Sequence, residues 1–315
     1  MDSKIVNLLF LGGAKRVSLA ERFIIAGKKL NLNINIFSYE LDEKLPIALI
    51  GKVIIGKRWK DPFILDHLKE IIEKNNIHIV IPCVDPSISI VSRLSSQLPS
   101  IFAPVSDWNV SELMYDKILL NNWLKKIGIP VPPNDLQLPL IAKMRKGSAS
   151  QGIIVIKKED ELSEFFKSYN KDDYLIQRFI DADEYTVDAY ISKNGKFIGA
   201  VPRLRIEVVL GEVVKAVTKK DEEIIALTEK VLSLNKFFGP ITVQFLRDKK
   251  DGAIYLMEIN PRLGGGVINS IEAGFDIPFF ILNEFLGIEL RGFSKWDENL
   301  LMVRTYREVF FANYY

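Results

Sequence analysis

Four polar residues in the apolar segment 239–266 could together bind a metal ion and an anion. Glu258 and Asn260 lie two positions apart, so they project from one face of a predicted strand, and Gln244 lies on the partner strand of the hairpin that turns at Asp251-Gly252. A carboxylate with amide carbonyls is an oxygen set that suits Mg²⁺ shared with substrate phosphates. Arg262 follows with the same parity and could hold phosphate or carboxylate oxygens.

The alternative is that these residues form the solvated face of an amphipathic hairpin, with an ordinary loop behind it. The run Gly264–Gly266 favours the functional interpretation. Each glycine costs about 1 kcal/mol in a regular element, so three in a row indicate a place where the backbone approaches a ligand.

A second candidate is the basic loop 143–152, which lies between two apolar strands and could place backbone N–H groups over phosphates. Lys143 sits within the apolar strand Leu140–Met144, where an unpaired ammonium is costly and a bound anion is a natural partner. A flexible exposed turn is the alternative. A third, weaker signal is the strand Tyr174–Phe179, which leads to Glu184; its backbone could bind adenine and the carboxylate could bind ribose hydroxyls.

The amino-acid composition excludes several classes of protein and of site. The 315 residues are 48% apolar and 26% charged, which is typical of a folded protein. The net charge is 42 − 40 = +2 without a block of like charge, so no nucleic-acid partner is expected. One cysteine, Cys83, and two histidines exclude an internal disulfide and a cysteine-based zinc site. The apolar runs are shorter than the about 20 residues that cross a membrane, so we expect a cytoplasmic protein without a membrane partner.

The elements that must position these residues follow from periodicity. Residues 1–107 alternate short β-branched runs with helical patterns, which predicts a parallel, Rossmann-like sheet. A helix capped by Ser111 and stopped by Gly128 should follow. From residue 140 to residue 260 strands dominate, with frequent turn signals, which predicts an α+β block on antiparallel sheets.

Taken together in this order, the motifs resemble the ATP-grasp superfamily, most closely the single synthetase units of carbamoyl-phosphate synthase large-subunit-like proteins. Gln244 with the MEINPR motif at 257–262 carries the resemblance, followed by Lys143 with its loop and by VIPCVDP at 80–86 with Gly12-Gly13. The resemblance implies an ATP-grasp fold of mixed α/β and α+β class. It also implies a pre-ATP-grasp domain over 1–107, a central subdomain with a lid loop over 108–178 and a C-terminal, metal-binding antiparallel sheet over 179–315.

The resemblance also implies roles for individual residues. Three positions depart from the family's common pattern: Met144, Ala149 and Gln177 replace proline, glycine and glutamate. Lys117 and Lys143 would contact the ATP phosphates, and Ala149 and Ser150 would lie in the lid loop. Gln177 and the Phe179 backbone would contact adenine, and Glu184 would bind ribose. One or two Mg²⁺ ions (or Mn²⁺) would bind to Gln244, Glu258 and Asn260, and the reacting groups would contact Arg262 and Lys143. Apart from the resemblance, Arg205 is a further candidate catalytic cation near the presumed site, but a surface charge pattern explains it almost as well.

The function implied is an ATP- and Mg²⁺-dependent ligase that joins a small-molecule carboxylate to an amine or ammonia through an acyl phosphate. Two points stay open: the roles of Arg203, Lys215 and Arg304, and whether the protein forms a homodimer. One alternative is a non-catalytic ATP-binding regulatory module, and another is carboxyphosphate chemistry like that of carbamoyl-phosphate synthase. An oxidoreductase is the third, but Gly12 and Gly13 are adjacent and no G-x-G-x-x-G follows.

Overall fold

A parallel four-stranded sheet forms the N-terminal part of the chain. The computed structural model describes residues 3–147 and 152–312, so Ala149 and Ser150 of the predicted lid loop lie outside the described residues. The strands are β1 (Lys4–Leu11), β2 (Leu32–Glu40), β3 (Lys52–Ile55) and β4 (Ile79–Pro82), in the order β3-β2-β1-β4. Their helices are α1 (Val17–Lys29), α2 (Ile64–Lys74) and α3 (Asp85–Gln97). The predicted parallel sheet is therefore confirmed.

Two short helices, α4 (Trp108–Tyr115) and α5 (Lys117–Lys126), replace the single helix that the sequence predicted. Asp116 separates them, because its Oδ1 accepts the N–H groups of Ile118 and Leu119 at 3.1 Å each and so caps α5. Ser111 lies inside α4 and does not cap it. The break places Lys117 in the first turn of α5.

A small three-stranded sheet follows. Its strands are β5 (Leu140–Met144), β6 (Ile154–Ile156) and β7 (Tyr174–Arg178), in the order β6-β5-β7 and all antiparallel. Helix α6 (Glu159–Ser168) covers one face, where the buried Phe165 packs with Leu140 and Ile156.

The largest sheet has six antiparallel strands. They are β8 (Ala182–Ile191), β9 (Phe197–Val209), β10 (Glu212–Thr218), β11 (Gly239–Asp248), β12 (Ile254–Asn260) and β13 (Leu301–Val303), in the order β12-β11-β8-β9-β10-β13. The remaining helices are α7 (Glu222–Leu232), α8 (Val267–Glu272) and α9 (Ile277–Phe285). The mixture of a parallel sheet and antiparallel sheets agrees with the predicted fold class.

One hydrophobic core joins the first sheet to the last helices. Phe10 and Phe23 belong to the same buried cluster as Phe275 and Phe280. The predicted domain boundaries fall after residue 107, just before α4, and after residue 178, at the end of β7; the division into three units remains a prediction. Within the described ranges, no helix has both the length and the apolar character that a membrane span requires.

Candidate functional site

A cavity of about 570 Å³ is lined by β5 and β7 of the small sheet and by β8, β9, β11 and β12 of the large sheet. That volume lies in the range of small-molecule and cofactor sites. The predicted site residues that line it come from distant parts of the sequence: Lys117, Lys143, Phe179, Glu184, Arg205, Gln244 and Glu258.

The carboxylate and one amide of the predicted metal site face each other across two strands. Gln244 of β11 is directly paired with Glu258 of β12, as the hairpin predicted. A bulge in β12 follows this pair, because the next residue of β11 pairs with Leu256 and leaves Met257 without a partner. Met257 and Glu258 consequently both line the cavity. Alternation of side chains along a strand did not predict this bulge. The sequence therefore did not predict that Met257 lines the cavity.

Asn260 occupies a different position from the other two oxygen donors. It pairs with Thr242, is 6% exposed and does not line the cavity. The described residues contain no group of three or more His, Cys, Asp or Glu side chains that could hold a metal ion. The donor set nevertheless fits Mg²⁺ that is shared with phosphate oxygens, because Glu258 supplies a carboxylate and Gln244 an amide carbonyl at the cavity wall.

Two ammonium groups lie beside this pair. Lys117 Nζ donates to the Gly147 carbonyl at 2.7 Å and lies 4.0 Å from Glu258 Oε1. Lys143 Nζ contacts only the thioether Sδ of Met257, at 3.6 Å, among the contacts described for it. Burial lowers the pKa of Lys143, while the negative charges of Glu258 and Glu184 oppose that shift. An anion in the cavity would give Lys143 an oxygen partner for its ammonium group, which the contacts of the described residues do not include.

The start of α5 is tied to the loop that follows β5. Asp116 accepts a 2.6 Å hydrogen bond from Arg145 Nε, and the Lys117 N–H donates to the Arg145 carbonyl at 3.0 Å. Asp116 therefore both caps α5 and fixes the loop, which brings Lys117 and Lys143 to the same wall. The sequence showed Asp116 and Arg145 but gave no reason to pair them.

The connection between β7 and β8 forms one end of the cavity. Phe179 is exposed at the cavity wall, and its N–H already donates to the Pro139 carbonyl at 2.8 Å. Gln177 is buried and donates from Nε2 to the Pro132 carbonyl at 3.2 Å, so its side chain does not line the cavity. Residues 179–183 of this connection line the cavity.

Glu184 and Arg205 form an ion pair at the cavity wall. Arg205 Nη1 donates to Glu184 Oε2 at 2.6 Å, and both side chains line the cavity. A ligand hydroxyl that binds Glu184 would have to share the carboxylate with Arg205.

Arg262 lies outside this cavity, towards the first sheet. Its Nε donates to Asp85 Oδ1 at 2.6 Å, at the start of α3. Arg203 is fully buried and binds Asp188 at 2.7 Å and 3.3 Å, with Ser270 donating to the same carboxylate at 2.6 Å. Arg203 is therefore part of the core and cannot reach a ligand in the cavity. Neither Lys215 nor Arg304 lines the cavity.

The loop after β1 does not offer a dinucleotide site. Burial raises the pKa of Glu40, and hydrogen bonds to its carboxylate from Ser38 and from the Ala14 and Gly13 amides oppose that shift. Glu40 thus occupies the amide groups that would bind a pyrophosphate in a dinucleotide fold. This contact argues against the oxidoreductase alternative.

Comparison with known proteins agrees with this architecture. Residues 114–266 match a family model described as an ATP-grasp domain. N5-carboxyaminoimidazole ribonucleotide synthase from Staphylococcus haemolyticus is 26% identical over 182 residues, which are 51% of this chain and 48% of that protein. The chain thus spans about half the length, or less, of the curated relatives it matches.

Two solved structures share the fold over most of the chain. The biotin carboxylase domain of Hydrogenobacter thermophilus 2-oxoglutarate carboxylase, a dimer in complex with MgADP, ADP and bicarbonate, has a TM-score of 0.73 at 19% identity and covers 93% of this chain and 72% of its own. N5-carboxyaminoimidazole synthetase from Staphylococcus aureus, in complex with ADP, has a TM-score of 0.72 at 18% identity and covers 92% and 80%.

Proposed function

We propose that the protein is an ATP- and Mg²⁺-dependent ligase that joins a carboxylate to an amine or ammonia, because residues 114–266 match a family model described as an ATP-grasp domain. A carboxylate oxygen attacks the γ-phosphorus of ATP, the bond to the bridging oxygen breaks, and ADP leaves an acyl phosphate behind. The amine nitrogen then attacks the acyl carbon, the bond from carbon to the phosphate oxygen breaks, and phosphate leaves with a proton from the amine.

One observation carries this proposal. The cavity places two ammonium groups, Lys117 and Lys143, beside the paired oxygen donors Gln244 and Glu258. Phosphoryl transfer asks the protein chiefly for positioning and charge neutralisation, and this wall offers both. A nucleophilic side chain is not required, because the substrate carboxylate is the nucleophile.

In this proposal, one end of the cavity binds the phosphates and Mg²⁺, and the other end binds adenine and ribose. Lys117 and Lys143 would hold the phosphates, and Glu258 and Gln244, with Asn260 further along the strand, would hold Mg²⁺. Bound Mg²⁺, or Mn²⁺ in its place, would neutralise charge on the transferring phosphoryl group.

The adenine and ribose would occupy the other end. The Phe179 carbonyl is suited to the exocyclic amine of adenine, between the apolar side chains of Ile141 and Leu246 that line the same cavity. Glu184 would accept ribose hydroxyls while it keeps Arg205 in place. In this arrangement Gln177 acts indirectly, because its contact with Pro132 supports the cavity wall.

The similar solved structures support ATP as the nucleotide and suggest bicarbonate as the first carboxylate to test. Both solved structures contain ADP, and one contains bicarbonate. Bicarbonate as the carboxylate would give carboxyphosphate as the acyl phosphate, and we propose it as the second candidate reaction. A homodimer is the proposed assembly, by analogy with the dimer of the Hydrogenobacter domain, and the cytoplasm is the proposed location.

The test is phosphate release from ATP across a panel of carboxylates, bicarbonate included, crossed with amines and ammonia. We expect release that requires Mg²⁺ and one particular pair, and that falls at least about 10²-fold in Glu258→Gln because the cavity loses its carboxylate metal ligand. Glu229→Gln, an exposed carboxylate on α7, is the matched control. ATP binding without turnover above Glu258→Gln for every pair would instead support the non-catalytic module.

A further inference from the structure

Met257 brings a thioether sulfur into the nucleotide cavity, beside an ammonium group. The bulge in β12 leaves Met257 without a partner in β11, and this residue lines the cavity next to Glu258. The Sδ atom of Met257 lies 3.6 Å from Lys143 Nζ, and the residue is only partly buried. A small oxidant that enters the cavity can therefore reach this sulfur.

The Lys143 ammonium is a donor that lacks an oxygen acceptor among the contacts described for it. Lys117, the other ammonium at this wall, differs because it donates to the Gly147 carbonyl at 2.7 Å. A thioether is a weak acceptor, so Lys143 keeps most of its capacity to donate. Burial lowers the pKa of Lys143, and the charges of Glu258 and Glu184 oppose that shift only in part. An oxygen acceptor at the position of the sulfur would relieve this unfavourable environment.

Oxidation of Met257 would place such an acceptor there. The sulfur lone pair attacks one oxygen of a hydroperoxide, the O–O bond breaks and an S–O bond forms. Sulfur loses two electrons, and the proton of the attacked oxygen passes to the leaving oxygen, so the hydroperoxide is reduced to water or to an alcohol. The product is a methionine sulfoxide, which is polar. Its oxygen is a stronger hydrogen-bond acceptor than the thioether sulfur that it replaces.

The other sulfur-containing residues in the described part of the chain lack this arrangement. Met114 is 2% exposed, and Met302 on β13 does not line the cavity. Met144 lines the cavity and is 39% exposed, but no hydrogen bond to a lysine is described for it. Cys83 is buried, which raises its pKa to about 12 and keeps it a slowly reacting thiol. Among these residues, oxidation at Met257 is the change that would reach a predicted phosphate-binding lysine.

We propose that Met257 is an oxidation site that controls nucleotide binding. The oxygen of its sulfoxide accepts a hydrogen bond from the Lys143 ammonium, and so competes with the nucleotide phosphates for this group. Methionine sulfoxide reductases reverse the oxidation, so the modification can act as a switch. The inference rests on the proposed ligase function, because it concerns the regulation of the site assigned to ATP.

Peroxide treatment followed by nucleotide titration tests this proposal. The full chain is treated with hydrogen peroxide, oxidation of each methionine is measured by peptide mass spectrometry, and MgADP binding is measured by calorimetry. We expect oxidation of Met257 to weaken MgADP binding about 10-fold or more, because the phosphate must then displace a hydrogen bond to a charged group. Methionine sulfoxide reductases A and B together, one for each sulfoxide epimer, should restore the affinity.

Three variants supply the controls, and each is compared with its own untreated form. Met257→Leu should bind MgADP equally before and after peroxide treatment, because it has no sulfur at this position. Met144→Leu should lose affinity as the wild type does, because it keeps Met257. Met257→Gln places an amide oxygen beside Lys143, so it should bind MgADP about 10-fold more weakly than the wild type without any peroxide.

The outcomes separate the two proposals. Absence of MgADP binding by the untreated wild type would contradict the proposed function. Normal MgADP binding would overturn the oxidation site alone if Met257 stays unoxidised where Met144 is oxidised, or if its oxidation leaves the affinity unchanged. An equal loss of affinity in Met257→Leu and the wild type would also overturn it. Wild-type affinity in untreated Met257→Gln would show that an acceptor at this position does not compete for Lys143.

Discussion

Replacing Lys143 with Met should make the ligand-free protein more stable and the nucleotide-bound protein less stable. The Lys143 ammonium contacts a thioether at 3.6 Å, which is a weak acceptor, and burial lowers its pKa. Methionine has a similar length and no charge, so it fills the same space without that cost. Because Glu258 and Glu184 already offset part of the cost, we expect a gain of about 1 kcal/mol, or a rise in Tm of about 1–3 °C.

The stability gained by Lys143→Met in the ligand-free protein should decrease as the pH rises. The pKa of Lys143 is lower in the folded protein than its ordinary value of 10.5. The folded protein therefore binds the proton less tightly than the unfolded chain, and the cost is fully present below the folded-state pKa. It disappears as the pH rises towards the ordinary value. The stability difference between Lys143→Met and the wild type should consequently narrow as the pH rises towards 10.5.

MgATP should reverse the order of the two melting temperatures. Ligand at about 100 times Kd stabilises a protein by about 2.7 kcal/mol, and a ligand that binds about 100-fold more weakly contributes only about 0.4 kcal/mol at the same concentration. The difference of about 2.3 kcal/mol exceeds the gain in the ligand-free protein. Thermal unfolding with and without MgATP measures both effects, with Lys167→Met, an exposed lysine on α6, as the control. A Lys143→Met protein that melts below the wild type without nucleotide, yet gains as much from MgATP, would refute this reasoning.

Three further predictions concern the packing of residues outside the nucleotide cavity. Gly266→Ala should destabilise the protein by about 1–3 kcal/mol in urea unfolding, because its Cβ would lie 2.5 Å from Arg203. Gly265→Ala should change the free energy of unfolding by less than about 0.5 kcal/mol, because its Cβ would meet nothing within 4 Å. Equal effects of the two variants would contradict this packing. Arg203→Met and Asp188→Leu should each cost about 3–5 kcal/mol, while the double variant should recover most of that loss in a double-mutant cycle; additive losses would show that the pair is not coupled. Burial raises the pKa of Cys83 to about 12, so at pH 8 its alkylation by iodoacetamide should be about 10³-fold slower in the native protein than in urea, and equal rates would show that the thiol is accessible.

Local sequence patterns predicted the parts of this structure that depend on neighbouring residues. The alternation of β-branched runs and helical patterns predicted the first sheet, and the Asp251-Gly252 turn predicted the hairpin that pairs Gln244 with Glu258. These features follow from turn chemistry and from the two-residue period of a strand, which act over a few positions.

The features that the sequence did not predict depend on distant contacts. The bulge at Met257 changes which side chains face the cavity, and it arises from strand pairing rather than from alternation along one strand. The Asp116–Arg145 hydrogen bond spans 29 positions, and the contact of Arg16 with the Gly264 carbonyl spans 248. Periodicity carries no information about such pairs, because the fold alone brings them together.

The central claim is that an acyl phosphate forms in the Lys117–Lys143–Glu258 cavity, and oxygen transfer tests it most directly. The carboxylate identified by the panel is labelled with ¹⁸O in both oxygens, and the released phosphate is analysed by mass spectrometry after turnover with MgATP and the amine. The mechanism predicts one ¹⁸O atom in each phosphate released and unlabelled ADP. Unlabelled phosphate accompanying amide formation, or label in AMP, would contradict it.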